Sequence, residues 1–268
     1  SFLPLVKSAF FKPDIIIQIS PTLFCSPQTI LVSKLSGAKS LIHIQDFEVD
    51  AMFGLSMAKN KFYQKIVLLI ERKILNFFSR VSTISEGMIN RAISKGIDSK
   101  KLILFPNWSE IDKFKKVQKE NQILINMGIE PTKKIILYSG NLGEKQGLEN
   151  VLYAAKDLEK HNNIFFVIIG DGAAKKNLIE LATLLKLENL KFLPLQPFEL
   201  LPKILACADC HLIIQKKGIA DAVLPSKLTN IFAVGGNSVI TADKGTFLGN
   251  LCEQYEGIST LVKPECVD

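Results

Sequence analysis

The chain is poor in the features that build disulfide frameworks, metal centres and membrane spans. It has five cysteines in 268 residues, Cys25, Cys207, Cys210, Cys252 and Cys266, an odd number at irregular spacing. That argues against a disulfide framework and for a reducing compartment such as the cytosol. No run approaches the roughly 20 apolar residues of a membrane-spanning helix. The opening stretch SFLPLVKSAFFKPD lacks the basic, apolar, small-residue progression of a signal peptide. It also lacks an initiator methionine, and reads as part of a longer chain. There is no low-complexity tract, no repeat beyond an alternation of strands and helices, and no Ser/His/Asp arrangement that stands out.

What is present is the composition of a folded protein: 47% hydrophobic and 22% charged. The length suits two domains of moderate size. The net charge of +7 favours anionic partners without choosing among nucleotides, phosphate-bearing lipids and nucleic acid.

Short apolar runs alternate with amphipathic stretches. Strands are expected over Asp14–Ser20, Ser40–Asp46, Arg80–Ser85 and Lys101–Asn107. Between them lie a helix over Ser26–Gly37 with a serine cap and a closing glycine, a long helical stretch over Lys59–Phe78, and a helix ending at Gly96. The rhythm pauses over Trp108–Lys134, which is charged, weakly periodic and reads as a linker with one short helix. It resumes with strands at Lys134–Gly140, Ile164–Gly172, Leu190–Leu195, Cys210–Gln215 and Ser238–Asp243, separated by helices and followed by a final helix from Thr246. Continuous apolar strands separated by helices imply parallel sheets covered on both faces. Two such runs imply two Rossmann-like domains, 1–108 and 109–268, with ligand at the carboxyl ends of the strands.

Three strand-to-helix turns of the second run could hold chemistry. In YSGNLGEKQGLEN, Gly140, Gly143 and Gly147 permit close backbone approach, and Lys145 puts a cation beside a helix start, a place for phosphate or for a plain solvated lysine. In IIGDGAAKK, Gly170-Asp171-Gly172 is half of a dinucleotide fingerprint, but Lys175 stands where the third glycine would be. A tight turn with Asp171 capping the next helix explains it equally. In DAVLPSKLTN, Pro225 suits a first helical turn, the N–H groups of Ser226, Lys227 and Leu228 face outward, and Lys227 adds a full charge. Together they make an anion cradle, with Asn230 one turn in and in reach of a sugar hydroxyl.

Other candidates are poorer. Cys207-x-x-Cys210 has no second pair, and Cys210 opens a core strand, so a metal site is not expected there. No Asp-x-Asp occurs, which removes support for a nucleotide sugar held through metal in that way. His43, mid-strand, reads as a core histidine, whereas Asp46, where that strand ends, is better placed for chemistry. Lys59–Arg80 carries apolar residues edged by Lys61, Lys65, Arg72 and Lys73. Such a helix either packs on a core with a basic rim or rests on an anionic bilayer.

The phrases HIQDFEVDAMF, RVSTISEGM, LFPNW, LYSGNLGEKQGLENVLYAA, VIIGDGAAKKNL, LPLQPFELLPKILACADCHLI and DAVLPSKLTNIFAVGGNSVITA occur in that order. In this the chain resembles glycosyltransferase family 4, and within it the colanic-acid-type exopolysaccharide glycosyltransferases. The likeness covers nearly the whole chain and is most specific from LYSGN onward. It implies a GT-B fold of two Rossmann-like domains facing across a cleft, and sugar transfer from a nucleotide-diphosphate donor with retention of configuration. It further implies no cofactor and no bound metal, a lipid-linked glycan as acceptor, no nucleic acid partner, and a cytoplasmic place at the inner face of the membrane.

By the same resemblance, Gly140 and Asn141 lie beside the diphosphate with Lys145 or Gln146 at the phosphate-binding lysine position. Asp171 and Gly172 belong to the same donor-side turns, and Leu195 and Gln196 lie near the base. Leu224, Pro225, Ser226 and Lys227 hold diphosphate and sugar, and Asp46 faces the transferred sugar from the other domain. Three departures stand out. Asn141 replaces the usual arginine, Gln146 replaces the usual lysine with Lys145 displaced by one, and the family's glutamate pair falls at Ala222 and Asn230, although Asp221 adjoins the first. Against the family the chain also looks truncated at both ends, which leaves a non-catalytic nucleotide- or sugar-binding remnant as the alternative.

Overall fold

The computed structural model describes residues 11–20, 23–50, 61–217 and 225–266, with the backbone alone for Lys61 and Lys145. They fall into two compact units, one ending at Pro106 and one starting at Asn107.

The first unit is a sheet of four parallel strands, β1 (Ile15–Ser20), β2 (Lys39–Ile44), β3 (Arg80–Thr83) and β4 (Leu102–Leu104), in that spatial order. Parallel neighbours need crossovers. Helices α1 (Ser26–Ser36), α2 (Lys61–Phe77) and α3 (Glu86–Ser94) lie between successive strands. Gly37 closes α1 at φ 72°, a conformation that favours glycine. The expected serine cap is not made: Cys25 occupies the cap position without a side-chain bond. Ser26 is buried instead, and its hydroxyl accepts from the Gln18 amide at 3.0 Å. Helix α3 does have its cap, since Ser85 Oγ accepts from Met88 N at 3.2 Å.

Ile42, Phe78, Val81 and Ala92 are fully buried at the centre of this unit. A buried ion cluster ties its helices together: Lys95 pairs with both Asp50 and Glu71, and Arg91 reaches Asp50. Burial raises the Glu71 carboxyl, and the adjacent Lys95 opposes that shift. His43 is a core residue, its ring nitrogens 2.9 Å from Ser82 Oγ and 2.6 Å from Gln45 Nε2. One expectation fails here. Ile15, Ile17 and Ile19 of β1 are each more than half exposed, so that edge strand is covered on one face only, among the described residues.

The second unit opens with the expected linker, whose short helix is α4 (Asn121–Asn126). Its sheet holds β5 (Lys134–Ser139), β6 (Ile164–Ile169), β7 (Leu190–Leu193), β8 (Cys210–Ile213), β9 (Ser238–Thr241) and β10 (Ser259–Val262). The spatial order is β10-β9-β8-β5-β6-β7 and every pairing is parallel. Helices α5 (Glu149–Asp157), α6 (Lys175–Leu184), α7 (Leu201–Ala206), α8 (Lys227–Ala233) and α9 (Phe247–Gln254) complete it. Strand β10 has no counterpart among the strands expected from the sequence, since a four-residue run with two hydroxyls at an edge carries little apolar signal.

The strand order steps outward from β5 to β7, then returns to the other side of β5 with β8 and steps away to β10. This reversal leaves a crevice at the carboxyl ends of β5 and β8, where ligands bind in open parallel sheets.

Candidate functional site

Strands β5 and β8 run side by side, with Leu137 opposite His211. One residue further on, Tyr138 and Leu212 mark the crevice. Lys227, the first residue of α8, turns its side chain back into this point. Its ammonium donates to the Leu212 carbonyl at 3.2 Å and lies 3.6 Å from the centre of the Tyr138 ring. Burial lowers its pKa to about 7. A part-buried ammonium held by a carbonyl and an aromatic face, with no carboxylate paired to it among the described residues, is a charge in want of an anion.

Two glycine turns floor the same crevice. The turn after β5 carries Gly140 and Asn141; the turn after β6 carries Gly170, Asp171 and Gly172. They are bonded to each other through Gly140 N to Ile169 O (2.9 Å), Leu142 N to Asp171 O (2.8 Å) and Ala174 N to Leu142 O (2.9 Å). A Cβ on Gly170 would fall on the Gly140 carbonyl oxygen, and one on Gly172 would lie 2.5 Å from the Leu142 oxygen. These glycines are needed for loop-to-loop approach. Tyr138 Oη donates to the Asn141 carbonyl at 2.8 Å and pins the first turn from below.

The candidate residues thus separate. Gly140, Asn141, Asp171, Gly172 and Lys227 converge on the crevice. Asp171 does not cap α6; Ala174 holds that position, and Asp171 Oδ1 accepts from Gly172 N at 2.8 Å instead. Lys145 sits in the 3₁₀ turn Glu144–Gln146 that follows. Gln146 folds back so that its Oε1 accepts from Gly143 N at 3.1 Å. Leu195 and Gln196 follow β7, with Leu195 exposed and the Gln196 amide donating to Pro194 O at 2.8 Å. Pro225 lies one residue before the cap Ser226 rather than in the first turn, and its carbonyl accepts from Leu228 N at 3.1 Å. The Leu228 N–H is therefore spent on the turn, and the expected triple of outward amides loses a member. Asn230 accepts from Ser109 Oγ at 2.8 Å, tying α8 to the linker. Leu224, with Asp221 and Ala222, lies outside the described residues.

Asp46 belongs to the first unit. There it lines a small pocket with Ser20, Phe47, Glu48 and Glu71. No group of three or more His, Cys, Asp or Glu among the described residues is arranged to hold a metal ion.

Two residues were missed from the sequence. Tyr138 looked like any strand aromatic. His211 is 1% exposed, its Nε2 has no hydrogen-bond partner among the described residues, and Gly236 opposite leaves it room, since a Cβ there would lie 2.7 Å from that nitrogen. Burial lowers its pKa to about 4, so it is neutral beside Lys227 at neutral pH.

Residues 119–264 match the family profile of Glycosyl transferases group 1. The putative colanic acid biosynthesis glycosyl transferase WcaI of Escherichia coli (strain K12) is 50% identical over 273 residues, covering 100% of this chain and 67% of the relative. The chain belongs to group 1 of the glycosyl transferases. As a group 1 glycosyltransferase it shares its α/β fold of parallel sheets with solved GT-B enzymes. Anabaena Alr3699/HepE in complex with UDP and glucose superposes with a TM-score of 0.77 at 16% identity, over 97% of this chain and 67% of that one. Sucrose-phosphate synthase from Thermosynechococcus elongatus gives 0.72 at 16% identity, over 98% of this chain and 63% of that one. This group 1 chain thus spans about two thirds of the length of the proteins it matches.

Proposed function

We propose that the chain moves a sugar from a nucleotide-diphosphate sugar to a lipid-linked glycan acceptor, with retention, in exopolysaccharide biosynthesis of the colanic-acid kind. The observation that carries the reading is the Lys227 ammonium at the β5–β8 reversal, beside the Gly140–Asn141 turn. Departure of a nucleoside diphosphate leaves charge on its outer phosphate. A cation fixed in a crevice of low polarity stabilises that charge as it develops. Lys227 then stands in for the cation that the arginine-to-Asn141 and lysine-to-Gln146 exchanges remove, and the reaction as proposed uses no metal. The name of WcaI and the UDP and glucose of HepE support the pathway and the donor class.

The donor is identified by thermal-shift screening of UDP-, GDP- and ADP-sugars, followed by calorimetry. Lys227→Ala is expected to weaken binding of the best nucleotide about tenfold, the scale of one charged contact. Unchanged affinity would remove Lys227, and the site with it, from the reading.

A second reading, a nucleotide- or sugar-binding remnant, has a specific observation behind it. One member of the family's acid pair is Asn230, which is bonded to Ser109. Donor hydrolysis or transfer by the chain decides between the two.

A peripheral membrane contact at the cytoplasmic face belongs to the same reading. Helix α2 turns its one acid, Glu71, into the buried Lys95 cluster. Its outer face presents Phe62, Ile66, Leu69, Ile70 and Phe77 together with Lys65 and Lys73.

A further inference from the structure

Tyr138 is 2% exposed and belongs to the apolar core of the second unit, where packing alone asks only for an aromatic or aliphatic side chain. It makes two further connections that packing does not ask for. Its ring face meets the Lys227 ammonium at 3.6 Å, and its hydroxyl donates to Asn141 O at 2.8 Å. The ring carries negative potential on its face, so it attracts a cation without neutralising it. A carboxylate in that position would hold the lysine more firmly but would repel a phosphate. A ring leaves the charge available, and the Leu212 carbonyl, at 3.2 Å, fixes the direction from which it is offered. The same side chain sets the height of the turn that carries Gly140, whose own missing Cβ would lie 3.6 Å from the ammonium.

We propose that Tyr138 is a positioning residue that holds the Lys227 ammonium and the Gly140–Asn141 turn in fixed relation, so that one anionic group can meet both. This rests on the donor-site reading above and adds to it the residue that orients the cation. The chemistry it would recognise is a diphosphate, whose oxygens can accept from the ammonium and from the Asn141 N–H together, since Gly140 N already donates to Ile169 O and Leu142 N to Asp171 O.

The test is a double-mutant cycle read by calorimetry on the full chain, with UDP and inorganic pyrophosphate as ligands. Lys227→Ala is expected to weaken both ligands about tenfold, and Tyr138→Leu about three- to tenfold, the scale of a desolvated cation–π contact. In the Lys227→Ala background, Tyr138→Leu should cost clearly less than in the parent chain, because the ring then has no charge to place and only the hold on the Asn141 carbonyl is lost. Additive losses would mean that Tyr138 does not position the ammonium, and would overturn the proposal while leaving Lys227 in its role. A Lys227→Ala chain that binds both ligands as before would overturn the donor-site reading and this proposal together.

Tyr138→Leu opens space in a packed core, so a shape-preserving series guards against loss of the fold. Tyr138→Phe keeps the ring face, and trifluorophenylalanine at the same position drains it. The expected order of affinity is Tyr, then Phe, then the fluorinated ring, with the step between the last two absent when Lys227 is Ala. Equal affinity across the two rings would exclude the cation–π role.

Discussion

Lys227 is the one residue whose charge state the proposed chemistry depends on. An unfolded lysine titrates near 10.4, whereas burial brings this one to about 7. Among the described residues, the titratable groups that face it are the Tyr138 hydroxyl, raised by burial, and the His211 imidazole, lowered by burial to about 4. Neither carries charge near neutral pH, so among the described residues the titration there belongs to Lys227. An arriving diphosphate favours the ammonium and raises its pKa above the ligand-free value. Binding at pH 8 is therefore expected to take up close to one proton, and binding at pH 6 close to none, since the ammonium is already formed. Calorimetry in buffers of different ionisation enthalpy reads this directly, and Lys227→Ala should abolish it. Proton uptake that persisted in that variant would assign the titration elsewhere. The same shift bears on folding. Between about pH 7 and pH 10 the unfolded chain binds the more protons at this position, so the lysine's contribution to stability improves as pH rises through that window.

At the scale of elements, the candidate site takes its shape from two turns about 30 residues apart along the chain that bond to each other. Gly170, at φ 156°, is where they come closest, and any Cβ there would displace the Gly140 carbonyl. Gly170→Ala is expected to destabilise the chain by about 3 kcal/mol through backbone strain and displacement, and to weaken nucleotide binding along with it. Gly245→Ala is the control. Its φ is also positive, at 81°, but nothing lies within 4 Å of its absent Cβ, and a cost of only about 1 kcal/mol is expected. Urea unfolding of the two variants measures both; equal costs would mean that the loop-to-loop approach is not what Gly170 is for.

The contrast shows what the sequence could carry. Apolar runs such as KIILYS and IFFVII announce their strands, because a strand buried on both faces has no polar alternation to confuse it. The glycines after them announce turns. That the two turns bond to each other leaves no trace in local composition, and neither does the inward path of the Lys227 side chain. The sequence suggests that α8 opens at Pro225, two residues before its first residue Lys227, because a proline at the first turn and a proline just before the cap look alike in sequence. Ser26 misled in the opposite sense, since a serine at a helix start reads as a cap even where Gln18 takes its hydroxyl. The tyrosine of β5 gave no sign of itself, because its second role depends on a lysine 89 positions away.

For the molecule as a whole, the proposed function requires something to bring a chain of net charge +7 to the lipid-linked acceptor that the proposal assigns it. No helix among the described residues is long and apolar enough to cross a bilayer. Contact would then rest on surface chemistry, and α2 supplies the pieces. Phe62 is 71% exposed and Leu69 54%, on a face where Lys65 and Lys73 are also exposed while Glu71 is buried. Apolar burial and attraction to anionic headgroups act together on such a helix, the second worth about 1 kcal/mol for each lysine near the surface. Sedimentation with vesicles of phosphatidylglycerol and phosphatidylcholine is expected to capture the chain, and vesicles of phosphatidylcholine alone to capture it poorly. Reversing both charges, Lys65→Glu with Lys73→Glu, should lower the partition to anionic vesicles at least about tenfold on that scale. The same change should leave the Kd for nucleotide unaltered, because these lysines belong to the first unit and the crevice to the second. Raising salt should mimic the variant by screening. Equal capture by both kinds of vesicle would refute the electrostatic part, and no capture by either would refute the contact itself.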